Sequence, residues 1–492
     1  MMSFAYKTSV MAVAAAIALT ACTFGPNGAP PAMPSPAHYG AGAQPAKTVA
    51  AGGVAQQFDI GAVGVPQWWQ LYRSDALSAL VEEGLRNSPT LGAAQRTLAA
   101  AQQELRAQVG ASTLPSIDAA AQVDRGRSPL VHEEHTGIGP SEVRYNFFAG
   151  QFLASYTFDL FGATRSANAA SAARVDVQAY QLEAARRALA ANIVGTTISA
   201  AALDRQIALT ERLVAVARTV ADEDQHRYAL GSVSRAQALA STQDAASAAA
   251  SLPALRQQRA TALHALAVLM GRTPDNAPAV PDLDSLTLPE HVPVVVPSDL
   301  LRSRPDVQAA DAAVKAAAAD VGAATAQLFP SLSLTASMGR GGFSWPAVLS
   351  GAGGLWAIGA SLSQPIFHGG ALFAHRKASI DAYDAAVLNY KSTVLSAFQN
   401  VADSLAALDN DAQTLASTEA AAQAAQAGFD DTASRRRMGS LPSTAEHASE
   451  QRFLNARIGA VRAASQRMND TVALFQAMGE LPPGQPQTAS AQ

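Results

Sequence analysis

Leu328-Phe329-Pro330-Ser331-Leu332-Ser333-Leu334-Thr335-Ala336-Ser337-Met338 is the stretch that decides the fold. From Ser331 onward the residues alternate: Leu332, Leu334, Ala336 and Met338 share one side, Ser331, Ser333, Thr335 and Ser337 the other. A period of two with one apolar and one polar face predicts a strand. Pro330 separates it from an Ala-rich stretch with apolar residues at three- and four-residue spacing, which predicts a helix over about residues 298–328. The alternation returns in Trp356, Ile358, Ala360 and Leu362 against Gly359, Ser361 and Ser363, so a second strand follows the first.

The same plan stands earlier in the chain. Leu114-Pro115-Ser116-Ile117 answers to Phe329-Pro330-Ser331-Leu332 at an offset of 215 residues, and Gly231 and Gly271 answer to Gly439 and Gly479 at 208. Asn87-Ser88-Pro89 answers to Ser303-Arg304-Pro305. A helix is predicted over about residues 75–109, then strands around Ser116 to Asp124, with Ile117, Ala119, Ala121 and Val123 on one face, and around Phe152 to Asp159. A repeated sequence unit implies a repeated supersecondary unit, so the chain reads as two copies of one plan.

After each strand pair comes a helical run without proline, about residues 163–230 and 370–438. At about 1.5 Å per residue each reaches on the order of 100 Å, which demands coiled packing against other helices. The chain turns at Gly231-Ser232-Val233-Ser234 and at Gly439-Ser440-Leu441-Pro442-Ser443, then returns as shorter helices to Met270 and Met478. Small Ala side chains let such helices approach closely.

The N-terminus reads as an export signal, with Lys7 before the apolar run Val10 to Leu19, which is shorter than the roughly 18 residues of a spanning helix. The only cysteine, Cys22, follows Leu19-Thr20-Ala21 in the manner of a lipobox and is expected to carry lipid rather than a disulfide. The expected organisation is a signal peptide over 1–21, a lipid-anchored tether rich in Pro, Gly and Ala over 22–64, a first repeat over 65–290, a second over 291–483, and a disordered tail over 484–492. The net charge of −4 is too mild to argue for nucleic acid.

Alternation alone fits either a half-buried hairpin in a soluble sheet or a strand between lipid and water. The export signal and the aromatic residues Phe158, Phe161, Trp356 and Phe367 near strand ends favour lipid. Four strands cannot close a barrel, since the smallest membrane barrels have about eight, so a barrel must be shared between chains. The fold class is therefore mainly α, with a membrane β-barrel completed by several copies.

Leu301-Arg302-Ser303-Arg304-Pro305-Asp306-Val307 with Leu328 to Thr335 resembles the second-repeat signature of the TolC-like outer-membrane factor family, within it the NodT-type lipoproteins that serve resistance-nodulation-division pumps. Trp68-Trp69 with Leu71-Tyr72, Phe158-Asp159-Leu160-Phe161-Gly162, and Arg227-Tyr228 before Gly231 support the resemblance, which covers nearly the whole mature chain. It implies a homotrimer with a twelve-stranded barrel and a periplasmic helical tunnel, no catalytic centre and no cofactor. The implied partners are outer-membrane lipid, a periplasmic membrane-fusion adaptor and an inner-membrane transporter that supplies the energy.

The resemblance also implies where function sits. The helical tips face the pump, so the expected gate and docking residues are Gly231, Ser234 and Gln237 in the first turn and Arg435, Arg436, Arg437, Gly439, Ser443 and Glu446 in the second. Family members often carry an acidic residue six positions after the tip glycine; here those positions are Gln237 and Ala445, which puts a charged ring in doubt. Glu446 could supply it from a shifted turn, or it is a helix-start carboxylate favoured by the dipole. Arg435-Arg436-Arg437 reads either as a basic collar at the mouth or as helix-end cations.

His132-Glu133-Glu134-His135 has its histidines three apart, not the four of a helical zinc-protease motif, so no metal site is expected. No Gly-rich phosphate loop is present, and no constellation supports an enzyme. Two other readings stay open: an outer-membrane duct for type I protein secretion, and a structural lipoprotein with a periplasmic coiled coil and no pore.

Overall fold

The computed structural model describes residues 24–34, 36, 38–40, 45–62, 64–130 and 141–479. Cys22, the His132 to His135 stretch and the tail over 484–492 lie outside the described residues. Two compact units form, and each draws on both halves of the sequence. Of the described residues, the first gathers those up to Pro31 with those of Leu98–Gln178 and Ala310–Tyr390; the second gathers those of Ala32–Thr97, Ala179–Ala309 and from Lys391 to Gly479.

The elements run β1 (Gln57–Ile60), α1 (Asp75–Asn87), α2 (Pro89–Thr113), β2 (Ser116–Leu130), β3 (Ser141–Phe158), α3 (Ala163–Ala229), α4 (Arg235–Leu269) and β4 (His291–Val294). They continue with α5 (Pro297–Ser303), α6 (Pro305–Ala326), β5 (Ser331–Gly342), α7 (Trp345–Leu349), β6 (Gly354–Ser363), α8 (Ala371–Arg437) and α9 (Ser443–Met478).

Two helices expected as continuous are each split by a proline. Ser88 and Arg304, the residues before Pro89 and Pro305, are extended at ψ 120°, because a proline ring crowds the helical conformation of the residue preceding it. Each proline then opens the next helix, where its missing N–H costs nothing. The breaks serve as seats for two glycine turns: Gly271 (φ 73°) lies against the Asn87 carbonyl, and Gly479 (φ 69°) against that of Ser303.

In the first unit β2, β3, β5 and β6 form one antiparallel sheet in that order. β2 and β5 begin just after Pro115 and Pro330, as expected, but β2 and β3 run well beyond the expected stretches. Registration aligns like with like: Phe152 pairs with Met338 and Met338 with Trp356, while Ser155 pairs with Ser116 and Thr335. The polar rows are stitched by hydroxyls, Ser116 to Ser155 and Ser333 to Ser361, each at 2.8 Å. The apolar rows stand largely open, with Met338 68% and Trp356 78% exposed, while Trp345 of α7 lies on Phe148 at one end, so among the described residues most of the sheet's greasy face is uncovered.

At the foot of the sheet Phe24 stacks on Phe329 at 4.5 Å, and Phe161 stacks on Phe329 at 5.0 Å. Asp159 then caps α3, accepting from the backbone of Thr164 and Arg165, after which Gly162 (φ 80°) makes the bend. The Phe158 to Gly162 motif is thus a strand end, a cap and a turn.

In the second unit β1 pairs in parallel with β4, burying Phe58, Val292 and Val294. The stretch expected as a tether is therefore more than one from Thr48 onward. Arg467 of α9, with 0% exposure, holds it from within: its guanidinium donates to Gln56 Oε1 (3.1 Å), the Ala51 carbonyl (2.9 Å), Thr48 Oγ1 (3.0 Å) and the Val54 carbonyl (3.3 Å). Trp68 stacks on Phe475, and Tyr72 donates its hydroxyl to the Met468 carbonyl. Arg304 closes the end of α9, bonding the Ala477 carbonyl (2.9 Å) and both oxygens of Asp306, while Ser303 donates to the Met478 carbonyl (2.8 Å).

The helices α3 and α8 are 67 residues each, as their proline-free sequences predicted, and return as α4 and α9. Alanines let them close: Ala217 and Ala221 of α3 bury against Ala245 of α4. No described helix is long and apolar enough to cross a membrane.

Candidate functional site

The two hairpin tips are built alike. At the first, Gly231 (φ 73°) donates to the Tyr228 carbonyl (2.9 Å) and Ser232 to that of Arg227 (2.8 Å), the pair of bonds that ends a helix on a left-handed residue. At the second, Gly439 (φ 76°) donates to Arg436 (2.8 Å) and Ser440 to Arg435 (3.0 Å). Positive φ explains why glycine stands at both.

The return helices start differently. Ser234 caps α4 through its hydroxyl, which accepts from the Gln237 N–H at 3.1 Å. Pro442 precedes α9 and has no side chain to cap it, and the Ser443 hydroxyl instead donates to Glu223 Oε2 of α3 at 3.0 Å. His447 Nε2 lies 3.4 Å from Glu223 Oε1, and Arg212 reaches Glu450 at 3.0 Å. These contacts tie the first hairpin to the second near the tips.

The site's main acid is one that position-by-position comparison with the family passed over. Gln237 stands where the acidic residue was expected, and its side chain donates to Asp224 Oδ2 of α3 at 3.2 Å. Ser241 also donates to Oδ2, and Arg227 to Oδ1 at 3.1 Å. The Asp224 side chain is 2% exposed. Burial pushes its carboxyl up, but the hydrogen bonds from Ser241 and Gln237 and the Arg227 charge together hold it below the ordinary carboxylate range. The signal was present in Asp222-Glu223-Asp224, an acidic run just before the turn, facing polar residues just after it.

The arginine triplet is largely neutralised within its own hairpin. Arg435 pairs with Asp431 at 3.0 Å, Arg436 pairs with Glu446, and Arg437 donates to Ser434 at 3.0 Å. Among the described residues Arg437 has no carboxylate partner. Glu446 lies in the first turn of α9, where the helix dipole favours it, and Arg436 holds it. Between the tips lies a groove of about 530 Å³ whose walls include Asp224, Arg227, Ser234 and Gln237 from one hairpin and Thr444 and Ala448 from the other. Such a groove has no nucleophile and base in register. Among the described residues no group of His, Cys, Asp and Glu could hold a metal ion.

The sequence matches the family described as outer membrane efflux protein over residues 80–272 and 296–480. It is 30% identical over 409 residues to the outer membrane protein OprJ of Pseudomonas aeruginosa, covering 81% of this chain and 80% of that one. It is 32% identical over 353 residues to the antibiotic efflux pump outer membrane protein ArpC of Pseudomonas putida, covering 69% of each. The fold is shared with the Campylobacter jejuni CmeC outer membrane channel, at a TM-score of 0.81 and 21% identity, over 93% of this chain and 95% of that one.

Proposed function

The chain belongs to the outer membrane efflux protein family, and on that premise we propose that it forms, as a homotrimer, the exit duct of a tripartite resistance-nodulation-division pump. The family is one of outer-membrane channels and not of enzymes. The observation that carries the trimer is the sheet of β2, β3, β5 and β6. Its apolar face is exposed and its two outer strands, β2 and β6, have no further partner among the described residues. In lipid an open edge leaves backbone groups unsatisfied at several kcal/mol each, so the edges must meet those of other copies. Three copies supply twelve strands, enough to enclose a water-filled lumen.

The internal duplication supports the same reading, because the order of helices and strands in the first half returns in the second with long helices of equal length. Lipid attachment at Cys22 fits the place of Phe24, two residues on, beside the foot of the sheet. The groove between the tips docks the adaptor's helical hairpins, and the tip contacts hold the periplasmic mouth closed until the pump assembles. Antibiotics and other toxic organic compounds pass through, selected by the transporter rather than by the duct; ArpC is named for antibiotic efflux.

Mass measurement of the detergent-purified chain tests the assembly. Three copies per particle, lost when β5 and β6 are deleted, support the shared barrel; a single copy contradicts it.

A further inference from the structure

The second unit contains a cavity of about 570 Å³, away from the hairpin-tip groove. Its apolar wall is made by Trp68, Trp69, Leu85, Tyr180, Ala190 and Pro305. The residues flanking the turn that holds the two tryptophans are both left-handed without being glycine, Gln67 at φ 56° and Arg73 at φ 52°. Backbone held in that region costs about 1–3 kcal/mol and persists where the surrounding structure fixes it. The wall is therefore set in place rather than collapsed inward.

Three charges border the cavity: Arg187 lies 3.5 Å from Glu183, and Arg186 is exposed with no ion pair or hydrogen bond among the described residues. Among the described residues the local balance is one positive charge over an aromatic and aliphatic wall. A volume of this size suits a small molecule, and sites of this kind pair an apolar body with one placed polar group.

We propose that this cavity binds an amphipathic organic anion, an aromatic or aliphatic carboxylate whose apolar body lies against Trp68, Trp69 and Tyr180 and whose carboxylate pairs with Arg186. Flat rings stack well on such side chains, and a guanidinium matches a carboxylate in shape and charge. The proposal does not rest on the conducting role.

The test is quenching of tryptophan fluorescence by 4-bromobenzoate, whose heavy atom quenches on contact. The full-length protein carries Trp345→Phe and Trp356→Phe, so that only Trp68 and Trp69 report and probe partitioned into detergent near the sheet goes unseen. Saturable quenching is expected, with neutral 4-bromobenzyl alcohol binding more weakly and Arg186→Gln weakening the benzoate about tenfold, the size of one charge-assisted contact. Arg186 is exposed, so its loss does not threaten folding. Quenching that does not saturate, that is equal for the neutral probe, or that is unchanged in Arg186→Gln overturns the proposal. So does absence of any quenching, the result expected where a second copy of the chain covers the cavity.

Discussion

Gln237 donates its side-chain amide to the buried carboxylate of Asp224, 3.2 Å away across the first hairpin turn. The acid of the tip is thus carried by the outgoing helix and steadied by the returning one. Replacing Gln237 or Ser241 with Ala leaves a buried carboxylate short of a donor, at about 1–3 kcal/mol. Hydrogen exchange of amides 224–242 should speed up accordingly while the helix ends near Met270 stay protected. Because the folded pKa of Asp224 is depressed, its contribution is fully present above the ordinary carboxylate range and is lost as pH falls through the depressed value. The same amides should lose protection selectively in acid.

Gly479 and Gly271 admit no side chain. A Cβ on Gly479 would stand 2.4 Å from the Ser303 carbonyl oxygen, and one on Gly271 2.5 Å from that of Asn87, in addition to the left-handed φ. Gly479→Ala and Gly271→Ala should each destabilise the second unit by at least about 2 kcal/mol, measured by thermal or denaturant unfolding in detergent. Gly92→Ala, with open space around it, should be neutral or better.

Asp411 gives a pH dependence of opposite sign. Burial, the hydrogen bond to Asp470 and that residue's charge raise its pKa to about 7, against the opposing pull of Arg467. The folded state therefore holds a proton that the unfolded chain releases near pH 4, so stability falls as pH rises from about 4 to about 7 and is level above. Asp411→Asn, which cannot ionise, should gain on the native protein as pH rises across that window, seen as a Tm difference that widens between pH 5 and pH 8.

The two faces of the sheet should respond differently to charge. Lysine at Met338, in the exposed apolar row with Phe152 and Trp356, should cost up to about 2–4 kcal/mol on insertion into lipid. Lysine at Thr335, in the row with Ser155 and Gly359, should be tolerated. The yield of each variant folded in outer membranes distinguishes them.

Much of the fold could be read from punctuation. Pro115 and Pro330 mark the strand starts, and Gly231 and Gly439 the helix turns, because each residue type has one local consequence. What was not legible depends on distant partners. Alternation fades at Arg125-Gly126-Arg127 and Phe147-Phe148, so the extensions of β2 and β3 show only through pairing. Ser88-Pro89 and Arg304-Pro305 lie inside good helical patterns that mask the breaks, although the residue before proline is restricted. Nothing local marks Arg467 of α9 as buried, because its backbone partners come from a Pro, Gly and Ala-rich stretch more than 400 residues earlier. At the tips the turn glycines were found from sequence, but Asp224 was not, since its donors are spread over 17 residues and meet only when the hairpin closes.

Single-channel current through the purified protein in a planar bilayer tests the duct most directly, with Arg437→Ala measured beside the native chain. Arg437, without a carboxylate in its own hairpin, is free to hold an acid of a neighbouring copy at a closed mouth. Small or rare openings in the native protein, and larger or longer ones in Arg437→Ala, are the predicted result. Membranes that stay silent with both proteins, at a protein dose that shows folded particles, would contradict a gated channel.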